Sequence, residues 1–112
     1  MKIIVISVFL SLFCSACITI GKPFPVQEVP TIVINQTTSR DLLDVFGQPY
    51  RTGMDDGDET WTYVHYKLRM AGEQQTRDLY VRFNTNGTVK SYSFNSSFDE
   101  DRNVLRRKNT TP

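Results

Sequence analysis

The chain has 112 residues, 39% of them hydrophobic, and its 13 basic and 12 acidic side chains leave a formal net charge of +1. A chain of this length accommodates one small domain with a modest core. Proteins that bind nucleic acids carry a basic footprint, which this nearly balanced composition lacks, so no nucleic-acid partner is expected.

The amino terminus has the pattern of a secretory signal peptide. Lys2 gives it a positive start, the eleven residues 3–13 are apolar apart from two serines, and the small residues Ser15 and Ala16 follow. A transmembrane helix takes about 20 apolar residues, so this run is too short to span a bilayer and has the length of a signal h-region. We therefore expect residues 1–16 to be a signal peptide.

The two cysteines, Cys14 and Cys17, form a C-x-x-C pair, a spacing used by redox and metal sites. Cleavage after Ala16 would discard Cys14, so neither kind of site is expected. The stretch FCSAC resembles the lipobox of bacterial lipoproteins, in which the first mature cysteine is acylated by fatty acids such as palmitate. Ile18 follows the cysteine, whereas an Asp there would resemble an inner-membrane retention signal. The resemblance implies lipidation of Cys17 and a place on the periplasmic face of the outer membrane; ordinary secretory cleavage is the alternative.

The mature chain would have 96 residues with 12 basic and 12 acidic side chains, because Lys2 is the only charged residue before Cys17. With one cysteine left, packing alone must hold the fold together. The proline-containing residues 17–25 are expected to be an extended, lipidated tether. Residues 26–95 are the expected domain, and the polar residues 96–112 are expected to be a frayed, disordered tail.

The clearest helix signal covers residues 38–46. Thr38 and Asp41 have the spacing of a capping box, and Gly47 followed by Pro49 predicts a left-handed stop. One apolar stripe is predicted at Leu42, Val45 and Phe46. Upstream, a single helical turn is possible at 26–29, and residues 31–34 fit either a short strand or a connector.

Beyond the helix the apolar period changes to two, which predicts strands at 61–70, 78–84 and 88–95. A polar turn precedes the first, and Asn86-Gly87 predicts a primed hairpin turn before the last. Together they predict a three-stranded antiparallel meander. The third strand places Val89 and Phe94 on opposite faces, so either a bulge near Ser91 reconciles them or both faces carry apolar groups.

The order of these elements behind a lipobox resembles a known family. The residues that carry the resemblance are Val29, Ile32, Ile34, Thr37 or Thr38 as helix cap, Leu42, Leu43, Phe46-Gly47-x-Pro49, Trp61-x-Tyr63, Leu79-x-Val81-x-Phe83 and Gly87-x-Val89. They resemble the BamE/SmpA lipoproteins, accessory components of the β-barrel assembly machinery. The resemblance implies an α+β fold (ααβββ), with short helices packed on one face of a three-stranded antiparallel sheet. Asn35 stands where the family usually has Gly, and the arm after Cys17 is shorter than in the best-known members.

No catalytic, cofactor or metal site is predicted. His65 is the only histidine and is interpreted as a partly exposed packing residue rather than a base. The acidic stretch DDGDET does not match a calcium loop, so it is interpreted as a solvated turn. Trp61 and Tyr63 are expected to pack on the helix stripe, although both could serve as interface anchors.

The expected contact patch comprises Tyr50, Tyr66 and Leu68. Tyr50 follows Gly-x-Pro, where the family presents an apolar residue to its partner or to lipid. Tyr66 and Leu68 have the opposite strand parity from Trp61 and Tyr63, so they are expected on the outer face of the sheet.

The leading hypothesis is a non-catalytic, lipid-anchored adaptor in envelope integrity or β-barrel assembly, with outer-membrane lipid and assembly-machinery subunits as partners. The alternative is a lipid-anchored binding or inhibitor module that targets a periplasmic enzyme.

Overall fold

The structure, a computed structural model, describes residues 17–70 and 72–107, which form an antiparallel sheet with short helices on one face. The strands are β1 (Cys17–Gly21), β2 (Arg51–Asp55), β3 (Asp58–Arg69), β4 (Gln75–Phe83) and β5 (Val89–Ser96). The helices are a first 3-10 helix (Val26–Thr31), α1 (Ser39–Phe46), a second 3-10 helix (Asp99–Asp101) and α2 (Arg102–Arg107). The predicted α+β class is confirmed. The predicted signal peptide lies outside the described residues.

Strand β3 is the centre of the sheet. One of its edges pairs with β4, which pairs in turn with β5, so the predicted meander is present. Its other edge pairs with β2 through residues 58–62 and with β1 through residues 65–69, so these two short strands lie end to end. The prediction of three strands is therefore wrong, because the described sheet has five.

Both additional strands lack the pattern that identifies a strand. All five residues of β2 are exposed, so its sequence RTGMD shows no apolar alternation. It forms because Asp56 and Gly57 both adopt positive φ, 51° and 85°, which suits a two-residue hairpin turn. The expected tether at residues 17–25 includes β1, whose pairing depends on a strand more than forty residues away.

The loop between β4 and β5 differs from the predicted primed turn. Only Gly87 adopts positive φ, and the Asn84 amide donates to the Thr88 carbonyl at 2.8 Å across a three-residue loop. A register shift follows: Phe83 pairs with Val89, but Arg82 pairs with Ser91, so Lys90 is the extra residue. The predicted bulge near Ser91 is confirmed, and it lets β5 keep its apolar side chains on the helix side.

Helix α1 begins as predicted. The Thr38 hydroxyl accepts from the Asp41 amide at 3.1 Å, and the Thr38 amide donates to the Asp41 carboxylate at 3.0 Å. Leu42 and Phe46 are buried, but Val45 is 43% exposed, so the predicted stripe is wrong at this residue. Leu43 packs against the core instead, because a helix of two turns meets the sheet along a narrow line.

A single aromatic side chain joins the end of α1 to the sheet. Tyr63 is 2% exposed, its ring lies 5.6 Å from that of Phe46, and its hydroxyl donates to the Gly47 carbonyl at 2.8 Å. Gly47 has φ 79° and ψ −161°, an extended conformation open to glycine rather than the predicted left-handed one. Trp61 packs edge-on against Phe83 at 4.9 Å, so both strand aromatics belong to the core.

The turn before α1 tolerates its unusual residue. Asn35 adopts φ 66°, a conformation that Asn reaches more easily than most residues. Its amide donates to the Val89 carbonyl at 2.7 Å, and its side chain accepts from Asn84 at 2.9 Å. Of the apolar residues nearby, Val29 and Ile32 are buried, whereas Ile34 is 40% exposed.

The prediction of a frayed tail is wrong for residues 96–107. Phe98, Asp101 and Val104 are 4%, 2% and 5% exposed, and α2 packs against the first 3-10 helix. The segment is polar because part of its burial is ionic: Asp101 pairs with the buried Arg77 of β4. Composition alone does not reveal such a partner.

We expect Thr38→Ala to lower the free energy of unfolding by about 1 kcal/mol, because it removes the acceptor for a first-turn amide of α1. Chemical denaturation monitored by circular dichroism measures the change. Thr85→Ala is the matched control, since Thr85 is exposed and its side chain hydrogen-bonds to no described residue. Equal stabilities of the two variants would contradict the capping role.

Tyr63→Phe is expected to cost about 1 kcal/mol at pH 7, because the partly buried Gly47 carbonyl loses its donor. Burial raises the pKa of Tyr63 from 10.0 to about 12. The unfolded chain therefore loses this proton first, and stability falls as pH rises from 10 to about 12. The variant should lack this part of the alkaline loss. Denaturation curves across that range test it, with Tyr50→Phe, at a 58% exposed site, as the unaffected control.

Candidate interaction surface

Strand β1 places the predicted lipidation site at the edge of the sheet. Cys17 is exposed, forms no disulfide with a described residue, and pairs with Arg69 at one end of β3. Because β1 begins with this cysteine, the described chain has no flexible arm between Cys17 and the sheet. An acyl chain on Cys17 would therefore hold the domain close to a bilayer.

The outer face of the sheet, opposite the helices, is apolar beside Cys17. Ile18 pairs with Leu68, and Ile20 pairs with Tyr66. Directly opposite residues of an antiparallel pair lie on the same face, so these four side chains form one surface. Ile18 is 63% exposed and the other three are partly buried. We call this surface, made of Ile18, Ile20, Tyr66 and Leu68, the anchor-side patch.

Gly21 allows the chain to leave β3 at the end of β1. Its φ is 75°, and a Cβ atom there would clash with the Val64 carbonyl oxygen. No larger residue fits this approach without a shift of the backbone. The chain then turns, with the Lys22 amide donating to the same carbonyl at 3.2 Å.

The structure brings together two of the three predicted contact residues. Tyr66 and Leu68 both lie in the anchor-side patch, whereas Tyr50 precedes β2 and lines a groove of about 390 Å³ between the ends of β1 and β2. Val64 lines the same groove. Ile18 and Ile20 were not predicted as contact residues. Their alternation with Thr19 is the signal that the sequence offers, but their pairing with β3 is a long-range contact that the sequence does not show.

The opposite end of the sheet is charged. Arg82 and Lys90 each contact the Asp58 carboxylate, at 2.7 Å and 2.8 Å, and Tyr80 donates to Asp55 at 3.0 Å. The hydrogen bond from Lys90 and, to a smaller extent, that from Arg82 lower the pKa of Asp58. The acidic turn thus neutralises basic side chains of β4 and β5, which agrees with its interpretation as a turn. A partner would meet apolar groups at one end of the sheet and paired charges at the other.

The described residues bear on the predictions for metal binding and for His65. They contain no group of three or more His, Cys, Asp or Glu side chains that could hold a metal ion. His65 is 5% exposed, so the expectation of a partly exposed residue is wrong; the ring stacks on Phe98 with its centroid 5.6 Å away. None of the described helices is both long and apolar enough to span a bilayer.

Residues 25–93 match the family model of the outer membrane protein assembly factor BamE domain, over more than half of the chain. The chain belongs to the BamE family. Comparison with curated proteins gives no significant match, and comparison with solved structures gives none. The BamE match confirms the resemblance drawn from the helix cap, the Trp-x-Tyr strand and the final turn.

BamE proteins are outer-membrane associated, non-enzymatic assembly factors that work with the β-barrel assembly machinery. Family membership therefore gives this chain an accessory role in outer-membrane protein assembly. The match begins after β1 and ends within β5, so neither Cys17 nor residues 94–107 are part of it.

Proposed function

We propose that the chain is a lipid-anchored BamE-type adaptor that holds a partner against the periplasmic face of the outer membrane. The observation that carries this proposal is the position of Cys17, the predicted acylation site, at the first residue of β1. The anchor then continues directly into the sheet, and the orientation of the domain follows from that of β1.

The anchor-side patch is the proposed partner surface, and Tyr50, in the separate groove between the ends of β1 and β2, is proposed as an additional contact. The buried centre of an interface is apolar, and aromatic side chains such as that of Tyr66 are enriched among the residues that supply most of the binding energy. The patch adjoins the anchor, so a partner bound there also lies near the bilayer. Anchoring raises the effective concentration of such a partner without additional contacts.

Lipidation is tested first. Mass spectrometry of the mature amino terminus should find acyl chains on Cys17, and Cys17→Ser should move the protein from the membrane fraction to the soluble fraction. Serine preserves the size of the side chain, so β1 should still pair with β3. An unmodified Cys17 at the mature terminus, or a Cys17→Ser variant that stays with the membrane, would contradict the anchor.

The partner surface is tested by Leu68→Glu, which places a charge in the patch opposite Ile18. We expect recovery of barrel-assembly subunits from solubilised membranes to fall at least about tenfold, since each 1.4 kcal/mol of binding energy is a factor of ten. Met54→Glu is the matched control, because Met54 is 77% exposed and does not belong to the patch. It lies on β2 opposite Glu59, which has the strand parity of the helix side of the sheet.

A functional readout accompanies the binding assay. Deletion of the gene should lower porin levels and raise detergent sensitivity, and Leu68→Glu should fail to restore either, whereas Met54→Glu should restore both. Unchanged porin levels and detergent sensitivity after deletion would refute the assembly role. Retrieval of a periplasmic enzyme in place of assembly subunits would favour the inhibitor alternative.

A further inference from the structure

The chain continues past the family match into a folded element of its own. Residues 97–107, here called the C-terminal segment, turn back over the helix-side face and bury Phe98, Asp101 and Val104. The Ser97 amide donates to the Thr76 carbonyl at 2.8 Å, and α2 rests on the first 3-10 helix. A distinct set of contacts therefore holds this segment to the sheet.

One of these contacts is an ionic cluster on β4, here called the latch, in which Arg77 pairs with Asp101 and Glu100. Arg77 points to the helix side and donates to both carboxylate oxygens of Asp101, at 2.8 Å and 2.9 Å, and to Glu100 at 2.9 Å. The same guanidinium lies 3.7 Å from the centre of the Phe98 ring. A buried bidentate pair with a stacked aromatic ring is a specific and geometrically demanding contact.

His65 lies beneath this latch. It is the cross-strand neighbour of Arg77, and its ring stacks on Phe98 at an interplanar angle of 26°. The imidazole is buried, and Nδ1 has no hydrogen-bond partner among the described residues. Protonation would place a positive charge on this buried ring. An N–H group at Nδ1 would find no hydrogen-bond acceptor among the described residues, so the charge would be costly.

The groups facing His65 come from three elements. Arg77 of β4 and Lys67 of β3 disfavour a second positive charge there, whereas Asp101 and Glu100 of the second 3-10 helix favour it. Gly21, the residue opposite His65 on β1, carries no charge. Burial is the largest influence, and with the two cations it lowers the pKa of His65 below its ordinary value of 6.5.

We propose that protonation of His65 releases the C-terminal segment from the sheet, so that mild acid opens this end of the domain. His65 is the only histidine in the chain, and histidine is the side chain whose ordinary titration lies between about pH 5 and 8. Release lets the imidazole take up a proton in water and moves Phe98, Asp101 and Val104 off the core.

Opening would uncover apolar surface. A groove of about 430 Å³ lies between the first 3-10 helix, β5 and α2, and its lining includes Val29, Phe94, Val104 and Leu105. Val104 and Leu105 leave with the segment, so the buried Val29 is uncovered and the partly buried Phe94 becomes more accessible. The C-terminal segment therefore acts as a cover over part of the family core.

The direction and size of the effect follow from linkage. The released state has the ordinary histidine pKa of 6.5 and the closed state a lower one, so the released state binds the proton more tightly. The opening equilibrium should rise by up to about tenfold for each pH unit below 6.5, and level off below the pKa of the closed state.

The test is hydrogen–deuterium exchange of the full chain at pH 7.5 and pH 5.5, corrected for the intrinsic pH dependence of exchange. Peptides from residues 97–107 should lose protection by up to about tenfold at the lower pH. Peptides from β4 should keep theirs, since the sheet stays folded. No loss in the segment, or equal losses in the segment and in β4, would overturn the proposal.

His65→Phe provides the decisive comparison, because a phenyl ring preserves the stacking on Phe98 and cannot be protonated. Its segment should keep the same protection at both pH values, and a loss equal to that of the wild type would overturn the proposal. His65→Gln repeats the comparison with a neutral polar side chain. Circular dichroism at both pH values shows which of the two variants is folded, and one folded variant is enough for the comparison with the wild type.

Discussion

Pairing along both edges of β3 is the constraint on which the rest of the structure depends. This twelve-residue strand contacts β4 on one side and both β1 and β2 on the other. Its helix-side positions supply Trp61, Tyr63 and His65 to the core, the helix junction and the C-terminal latch respectively. Its outer positions supply Tyr66 and Leu68 to the anchor-side patch.

The two faces of β3 make different contacts. On the helix side, burial of aromatic rings and one hydrogen bond to Gly47 orient α1. On the outer side, β1 adds Ile18 and Ile20 next to Cys17, so apolar character gathers at the end of the sheet where the anchor is proposed. Charges gather at the other end, where Asp58 pairs with Arg82 and Lys90. If the domain is anchored as proposed, this separation of apolar and charged ends would give it one preferred orientation relative to the bilayer.

The buried ionic contacts at the carboxyl end have a different physical character from the apolar core. A buried Arg–Asp pair contributes specificity more than net stability, because desolvation of the charges offsets their attraction. The pair between Arg77 and Asp101 therefore determines where residues 97–107 dock while leaving their detachment energetically accessible. The adjacent neutral imidazole of His65 makes that detachment sensitive to protons.

Local chemistry allowed several elements to be predicted from the sequence. The capping box of Thr38 and Asp41, the stop at Gly47, the alternation in the strands and the bulge in β5 were recognisable, because each depends on residues close together in the chain. The family was recognisable from the order of these elements. Tyr66 and Leu68 were likewise placed on the outer face by strand parity alone.

Tertiary structure alone decided the remaining features. The exposed sequence of β2 has no apolar period, and β1 becomes a strand only by pairing with β3. The polar residues 97–107 fold because Asp101 pairs with Arg77 and Phe98 stacks on His65. For β1 and for residues 97–107, the stabilising partner is distant in the sequence. For β2, every residue is exposed, so no alternation of apolar and polar residues marks the strand. The sequence by itself determined the local elements and the family, whereas long-range pairing and burial determined the edge strands, the patch and the latch.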